Sequence, residues 1–140
     1  MVIARLYPGL YLVANGMAYA IVAWLFLTEP LAWFARLQID AVDPAAYTEL
    51  KATYVGLMGS LGIYFLAAGL TASLRQSAVL LAILSYAGLA AVRAWGIYLN
   101  GNSSALMQQL LAVEVTDLAA GLLALYCLRR TMRQPRNPYF

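Results

Sequence analysis

Four long apolar runs constrain the fold of this chain more than any other feature. They cover about residues 7–28, 48–73, 77–98 and 105–128 of 140, and each is close to the roughly 20 residues that an α-helix needs to cross a bilayer. We expect the first run to be a retained span, because it is too long for the apolar core of a cleaved signal. The loops between the runs are short or moderate, which predicts an all-α integral membrane protein built as an antiparallel four-helix bundle. A single four-span transmembrane domain then accounts for residues 1–140, with residues 129–140 as a basic tail.

The cationic residues predict how the spans are oriented. Six of the nine lie beside the same ends of the runs, and clustered positive charge marks the cytoplasmic side of a membrane. They are Arg5, Arg75, Arg129, Arg130, Arg133 and Arg136. The other side has only Arg36 and Lys51 in the first loop. Both termini are therefore expected in the cytoplasm, and the basic tail either records this topology or contacts anionic lipid.

The first loop begins with Glu29 and Pro30, and proline cannot continue a helix with an intact hydrogen-bond ladder. Residues 31–37 predict a short helix lying in the membrane interface, with Trp33 and Phe34 among the lipid head groups. Other aromatic residues fall near the predicted boundaries, as in the aromatic belts of membrane proteins. They are Trp24, Trp95 and Tyr98 on the outer side and Tyr7, Tyr11 and Tyr126 on the inner side.

Composition excludes several classes of function. The chain has no histidine and one cysteine, Cys127, so the usual ligands of haem, zinc and copper are missing and an intramolecular disulfide is impossible. We expect no metal and no cofactor. The net charge of +3 comes from residues that set the topology and not from a basic patch, so we expect no nucleic-acid partner.

Small residues predict where helices pack closely, because lipid supplies no hydrophobic drive for helix association. The second run is the richest in them, with a row at four-residue spacing and three further glycines beside it. The row is Ala52, Gly56, Ser60, Ala68 and Ala72, and the glycines are Gly59, Gly62 and Gly69. We expect the second span to be the central and most buried helix, although a ridge of this kind also suits a dimer interface.

Five ionisable side chains lie within or at the edge of the predicted spans, where each costs about 2.5–3.5 kcal/mol on insertion scales. Arg93 is in the third span, and Glu114 and Asp117 share one face of the fourth because they are three residues apart. Glu49 and Lys51 open the second span. Their charges leave one excess carboxylate, and we expect the deeper Asp117 to be kept neutral by a proton.

Helical spacing directs further polar residues toward the same interior. Glu49 and Thr53 share a stripe of the second span, and Tyr86 lies two turns before Arg93 in the third. The first span adds Asn15 near its middle. The predicted polar cluster comprises Arg93, Glu114, Asp117, Glu49, Tyr86, Asn15, Thr53 and Tyr54. It is either a functional site inside the membrane or a structural network, with Arg93 paired to Glu114 and Asp117 bonded to a hydroxyl such as that of Tyr86.

Three segments around these residues resemble domain-of-unknown-function family 4345, a group of small bacterial four-span membrane proteins. They are ELKATYVGL at 49–57, YAGLAAVRAWGI at 86–97 with Asn100 and Gly101 after it, and EVTDLAAGLLAL at 114–125. The resemblance covers the second to fourth spans, about two-thirds of the chain. The resemblance implies the four-helix fold, a location in the bacterial cytoplasmic (inner) membrane and the recurrence of Glu49, Arg93 and Glu114. It implies no activity, because none is assigned to the family. Val55 stands where the family more often has glycine.

Three functions fit these features. The first is binding or transport of a small amphipathic or anionic molecule, held by Arg93 while a carboxyl carries a proton; four spans are few for a carrier, so transport calls for a homodimer. The second is an accessory or assembly subunit of a larger membrane complex. The third is a membrane-embedded enzyme that uses Glu114 and Asp117 as acid and base on a lipophilic substrate, although the chain has no nucleophile motif.

Overall fold

The computed structural model describes residues 2–40, 43–100 and 104–132. Its α-helices are α1 (Val2–Thr28), α2 (Pro30–Arg36), α3 (Pro44–Lys51), α4 (Met58–Leu70), α5 (Arg75–Asn100) and α6 (Ala105–Met132). A π-helical segment, Ala52–Leu57, joins α3 to α4, and a 3₁₀ turn, Ala72–Leu74, leads into α5. These residues contain no strand, so the predicted all-α class is confirmed. The loop at 101–103 and the tail beyond 132, with Arg133 and Arg136, lie outside the described residues.

Among the described residues, four helical stretches are long and apolar enough to cross a membrane, as predicted. They are Arg5–Thr28, Pro44–Leu70, Ala72–Leu99 and Ala105–Thr131. Their lengths of 24 to 28 residues correspond to roughly 36–42 Å of helix, more than a hydrocarbon core of about 30 Å. The protein is therefore an integral membrane protein. Below, the α2 end of the bundle is the end where α2 lies, and the N-terminal end is the opposite one.

The first span is the central helix of the bundle. α1 packs against α4, α5 and α6, whereas the second span packs mainly on α1. In the most apolar stretch of each span, 39% of the first is buried and 22% of the second. The prediction that the second span is the most buried is therefore wrong. Its small residues do make close contacts, but on one face only.

α1 and α4 approach each other through glycines. A Cβ added at Gly16 would lie 2.9 Å from the Gly62 carbonyl oxygen, and one added at Gly9 would lie 3.0 Å from the Gly69 carbonyl oxygen. The distance at Gly16 is too short for a real side chain and that at Gly9 is tighter than most real Cβ contacts, so glycine is required at the first position and favoured at the second. The two pairs are seven residues apart on each helix, which keeps them on one face.

The predicted row of small residues on the second span does not follow that face. Ala52, Gly56 and Ser60 are exposed, and a Cβ at Gly56 would have no neighbour within 4 Å, whereas Ala68 is buried. Residues four apart turn about 40° around an α-helix with each step, so such a row spirals away from a fixed neighbour. The π-helical segment shifts the helical phase further.

At the α2 end, aromatic rings attach α2 to the bundle. Phe34 is 1% exposed and lies 5.1 Å from Phe26 and 5.9 Å from Tyr54, measured between ring centroids. The short helix predicted for residues 31–37 is confirmed as α2, but the prediction that Phe34 inserts among lipid head groups is wrong, because its ring is enclosed by protein. Trp33 is half-buried, with the guanidinium of Arg36 4.6 Å above its ring.

The polar turn before the second span starts α3. The Asp43 carboxylate accepts hydrogen bonds from the amides of Ala45 at 2.7 Å and Ala46 at 3.2 Å. Pro44 occupies the first helical position, where a missing N–H costs nothing. The helix that carries Glu49 and Lys51 therefore has a defined beginning.

Candidate polar site inside the bundle

Arg93 and Glu114 form an ion pair that links α5 to α6. The Arg93 Nη2 donates to Glu114 Oε1 at 2.6 Å, and Nε lies 3.0 and 2.9 Å from Oε1 and Oε2. The side chains are 22% and 7% exposed, so solvent and lipid have little access to the carboxylate. This two-pronged geometry is the strong form of an arginine–carboxylate contact. The pairing expected from the sequence is present.

The other terminal nitrogen of the Arg93 guanidinium, Nη1, also has a partner. It lies 3.2 Å from the sulfur of Met107, and the phenol of Tyr54 is within electrostatic range of the guanidinium. Tyr54 is held by stacking on Phe26, with 4.4 Å between ring centroids. The second span therefore reaches the ion pair through Tyr54, which is carried by the π-helical segment.

A row of polar residues on α1 faces α5 and α6. We call it the tyrosine row: Tyr7, Tyr11, Asn15 and Tyr19, each four residues from the next. The Tyr7 hydroxyl donates to the Ala120 carbonyl and the Tyr11 hydroxyl to the Asp117 carbonyl, both at 3.2 Å. α1 is thus bonded to the backbone of α6 at two points about one turn apart.

Asn15 and Tyr86 join α1 to α5 in the middle of the bundle. The Tyr86 hydroxyl donates to Asn15 Oδ1 at 2.6 Å, and Asn15 Nδ2 donates to the Tyr11 carbonyl at 2.9 Å. Asn15 and Tyr86 are both buried. The Tyr19 ring packs on Tyr86 at 6.2 Å and on Phe65 at 5.5 Å between centroids, which closes this level of the bundle.

Asp117 lies on the interior face of α6, one turn from Glu114 toward the N-terminal end. Its carboxylate is within electrostatic range of the hydroxyls of four tyrosines: Tyr7, Tyr11, Tyr19 and Tyr86. The sequence suggested a hydrogen bond from Tyr86 to Asp117, but Tyr86 donates to Asn15 instead. Among the described residues, none donates a hydrogen bond to the Asp117 carboxylate.

The charged start of the second span stays apart from this cluster. Glu49 is exposed, and the half-buried Thr53 bonds through its hydroxyl to the Glu49 carbonyl at 3.1 Å. The Lys51 ammonium lies 5.5 Å above the ring of Tyr47. Of the eight predicted residues, Arg93 contacts Glu114, Tyr86 contacts Asn15, and Tyr54 and Asp117 lie beside these pairs.

Sequence reasoning assigned Tyr7 and Tyr11 to an aromatic belt and thereby missed them as part of the site. A partial signal was available, because each of these polar residues lies four positions from the next and such pairs are neighbours on a helix surface. Trp24, Trp95, Tyr98 and Tyr126 are exposed, as belt residues are expected to be. Tyr11 differs from these because it is buried against Gly121, where the missing side chain leaves room for its hydroxyl.

No known protein-family profile matches this chain. Comparisons with curated proteins and with solved structures give no match either. The chemistry of the site is therefore argued from its own residues. The described residues contain no group of three or more histidine, cysteine, aspartate and glutamate side chains that would hold a metal ion. They do contain two carboxylates in unequal surroundings, since Glu114 is paired and Asp117 is not.

Proposed function

We propose that this protein binds a small amphipathic molecule inside the membrane, at the polar cluster between α1, α5 and α6. The observation that carries the proposal is the Asp117 carboxylate, which has no hydrogen-bond donor among the described residues although four tyrosine hydroxyls are within electrostatic range of it. A network that only fixes helix register is expected to satisfy its own polar groups. An interior carboxylate without a partner points to a bound ligand or a transferable proton.

The ion pair beside Asp117 restricts the class of ligand that this site would bind. Arg93 holds Glu114 through two nitrogens and faces Met107 with the third. An anionic head group that replaced Glu114 on Arg93 would leave the Glu114 carboxylate buried and unpaired, which is costly. Amphipathic molecules that leave this pair intact therefore suit the site better than simple anions.

We extend the proposal to the membrane in which the protein lies and to the number of chains that transport would require. We place the chain in a bacterial cytoplasmic membrane with both termini in the cytoplasm, following its arginine distribution and its resemblance to family 4345. Movement of the ligand across the membrane would require a homodimer, since alternating access is usually built from two structural repeats. Binding alone needs one chain.

Native mass spectrometry of the gently solubilised protein tests the proposal. We expect a bound species of constant mass in repeated preparations of the wild type. Asp117→Asn keeps the shape of the side chain and removes the carboxylate, and it should lose that species. The matched control Asp40→Asn makes the same change at an exposed position and should retain it. A ligand-free wild type, or a bound species that persists in Asp117→Asn, would contradict binding at this cluster.

Exposed small residues favour a second function, that of a subunit in a larger membrane complex. Added Cβ atoms at Gly56, Gly88 and Gly96 would meet nothing within 4 Å, and such surfaces let another transmembrane helix approach closely. Under this alternative a partner protein copurifies in mild detergent and is lost on Gly56→Leu, whereas Ile63→Leu at another exposed position of the same span leaves it bound. A chain that always purifies alone would count against it.

A further inference from the structure

We infer that the ligand of this site carries a positive charge, as an organic ammonium or similar lipophilic cation, bound between Asp117 and the tyrosine row. This inference rests on the proposed function and specifies its ligand class. It follows from three features of the described residues: the charge balance, the direction of the hydrogen bonds and the nature of the surrounding rings.

The charge balance leaves one carboxyl group inside the bundle, that of Asp117, without a paired cation. A proton would neutralise it, as we expect from the sequence, and a cationic ligand would take the place of that proton. Arg93 and Glu114 neutralise each other, and theirs is the single ion pair among the described residues. Arg75 lies at the N-terminal end, where its Nη2 bonds to the Gly69 carbonyl at 3.0 Å. The charges of Glu49 and Lys51 lie at the other end, exposed or over an aromatic ring. Among the described residues, Asp117 therefore has no cationic side chain to pair with.

The hydrogen bonds around Asp117 point away from its carboxylate. The hydroxyl protons of Tyr7 and Tyr11 are donated to backbone carbonyls of α6, and that of Tyr86 is donated to Asn15. One N–H of the Asn15 amide is donated to the Tyr11 carbonyl. The hydroxyls of Tyr7, Tyr11 and Tyr86 therefore offer only oxygen lone pairs to a ligand. Lone pairs attract a cation and repel an anion.

The rings supply the other half of a cation site. Tyr7 stacks on Tyr11 at 6.5 Å and Tyr19 meets Tyr86 edge-on at 6.2 Å between centroids. The hydroxyls of these four tyrosines are within electrostatic range of the Asp117 carboxylate. Aromatic faces attract organic cations through their quadrupole, most strongly in desolvated sites. One carboxylate with several phenols suits an ammonium group better than a small metal ion, which prefers several oxygen ligands. Asp117 remains half-buried, so its carboxylate is accessible.

Two probes of equal shape and opposite charge test the sign of the ligand. Tetraphenylphosphonium and tetraphenylborate are measured by equilibrium dialysis against the full-length protein in a neutral detergent, with protein-free micelles as the blank. We expect saturable binding of the phosphonium and none of the borate. Asp117→Asn keeps the shape of the side chain and should weaken phosphonium binding by at least about tenfold, as loss of one partner of a buried charge pair does. Asp40→Asn makes the same change at an exposed position and should bind like the wild type.

The outcomes separate this inference from the proposed function. If the wild type binds the borate, or if Asp117→Asn binds the phosphonium as tightly as the wild type, the cation assignment is wrong. If neither probe binds, the assignment is equally wrong. In all of these cases the proposed function stands or falls separately, on whether the wild type retains a small molecule in native mass spectrometry. Circular dichroism and gel filtration establish that Asp117→Asn is folded before its affinity is interpreted.

Discussion

Asn15 shows how a single polar side chain is accommodated in this bundle. It is 4% exposed, and its amide uses both an acceptor, for Tyr86, and a donor, for the Tyr11 carbonyl. An amide in an apolar interior is costly when either group lacks a partner. The neighbouring Tyr86 hydroxyl is therefore part of what makes Asn15 tolerable at this position.

Tyr86→Phe tests this dependence. The change removes one hydroxyl and leaves Asn15 Oδ1 without its donor, so we expect the free energy of unfolding to fall by about 1 kcal/mol, in the range found for hydrogen bonds between membrane helices. Tyr98→Phe is the control, since Tyr98 is 78% exposed, and it should change stability by less. Reversible denaturation in detergent measures both. Equal effects would show that the Tyr86 hydroxyl does not support Asn15.

The Arg93–Glu114 pair predicts a non-additive result. Arg93→Gln alone leaves Glu114 buried and charged, and should lower the free energy of unfolding by about 3 kcal/mol. Adding Glu114→Gln removes that uncompensated charge, so the double variant should be more stable than Arg93→Gln. A double-mutant cycle by chemical denaturation measures the coupling. Additive single effects would mean that the two side chains do not interact in the membrane-like environment.

At the scale of elements, the closest contact in the bundle is that between α1 and α4. Gly16 and Gly62 bring the two backbones together near the middle, and Gly9 and Gly69 do so near the N-terminal end. This contact fixes the rotation of α1 about its own axis. The rotation in turn directs the tyrosine row toward α5 and α6, so the glycines position the candidate site without touching it.

Gly16→Ala should disturb this contact. The new Cβ would lie 2.8 Å from the Leu66 amide nitrogen, so the helices must separate, and we expect a loss of about 1–3 kcal/mol in the free energy of unfolding. Gly88→Ala is the matched control. It adds the same methyl group in open space and should be neutral or stabilising by up to about 1 kcal/mol through helix propensity. Thermal unfolding of both variants, monitored by circular dichroism, measures the two effects on stability. If Gly16→Ala leaves stability unchanged, α1 and α4 are less tightly packed than the structure indicates.

At the scale of the whole molecule, four spans place both termini on the same side of the bilayer. The residues flanking the α2 end and the N-terminal end then determine which side that is. The arginines near the N-terminal end, Arg5, Arg75, Arg129 and Arg130, outnumber Arg36 and Lys51 at the α2 end. By the positive-inside rule we expect the N-terminal end to face the cytoplasm.

Cysteine labelling in intact cells checks this orientation. In a Cys127→Ser background, Asp40→Cys should react with a membrane-impermeant maleimide, whereas Arg5→Cys should react only after the membrane is opened. Both positions are exposed on the protein, so the difference reports the side of the membrane and not burial. The reverse pattern would invert the proposed topology. The cysteine-free background provides the blank.

The candidate site was predictable in part. Arg93 and Glu114 were identified because charges inside a membrane span demand partners, and the structure pairs them. Tyr7 and Tyr11 were missed because the sequence around an aromatic residue near a span end looks the same whether its ring faces lipid or protein. The partner of Tyr86 was mistaken because Asn15 and Asp117 both lie within reach of it, and sequence spacing does not choose between two acceptors.

The sequence by itself determined that this chain is helical, that four of its segments are long enough to cross a bilayer, and where α2 begins. Those properties depend on residues that are neighbours along the chain, namely the length of each apolar run and the position of Pro30. Only the tertiary structure decided that α1 is central, that Phe34 turns into the protein and that the tyrosine row surrounds Asp117. These outcomes depend on how each helix is rotated about its own axis, and that rotation is set by backbone contacts such as Gly16 on Gly62, between residues far apart in sequence.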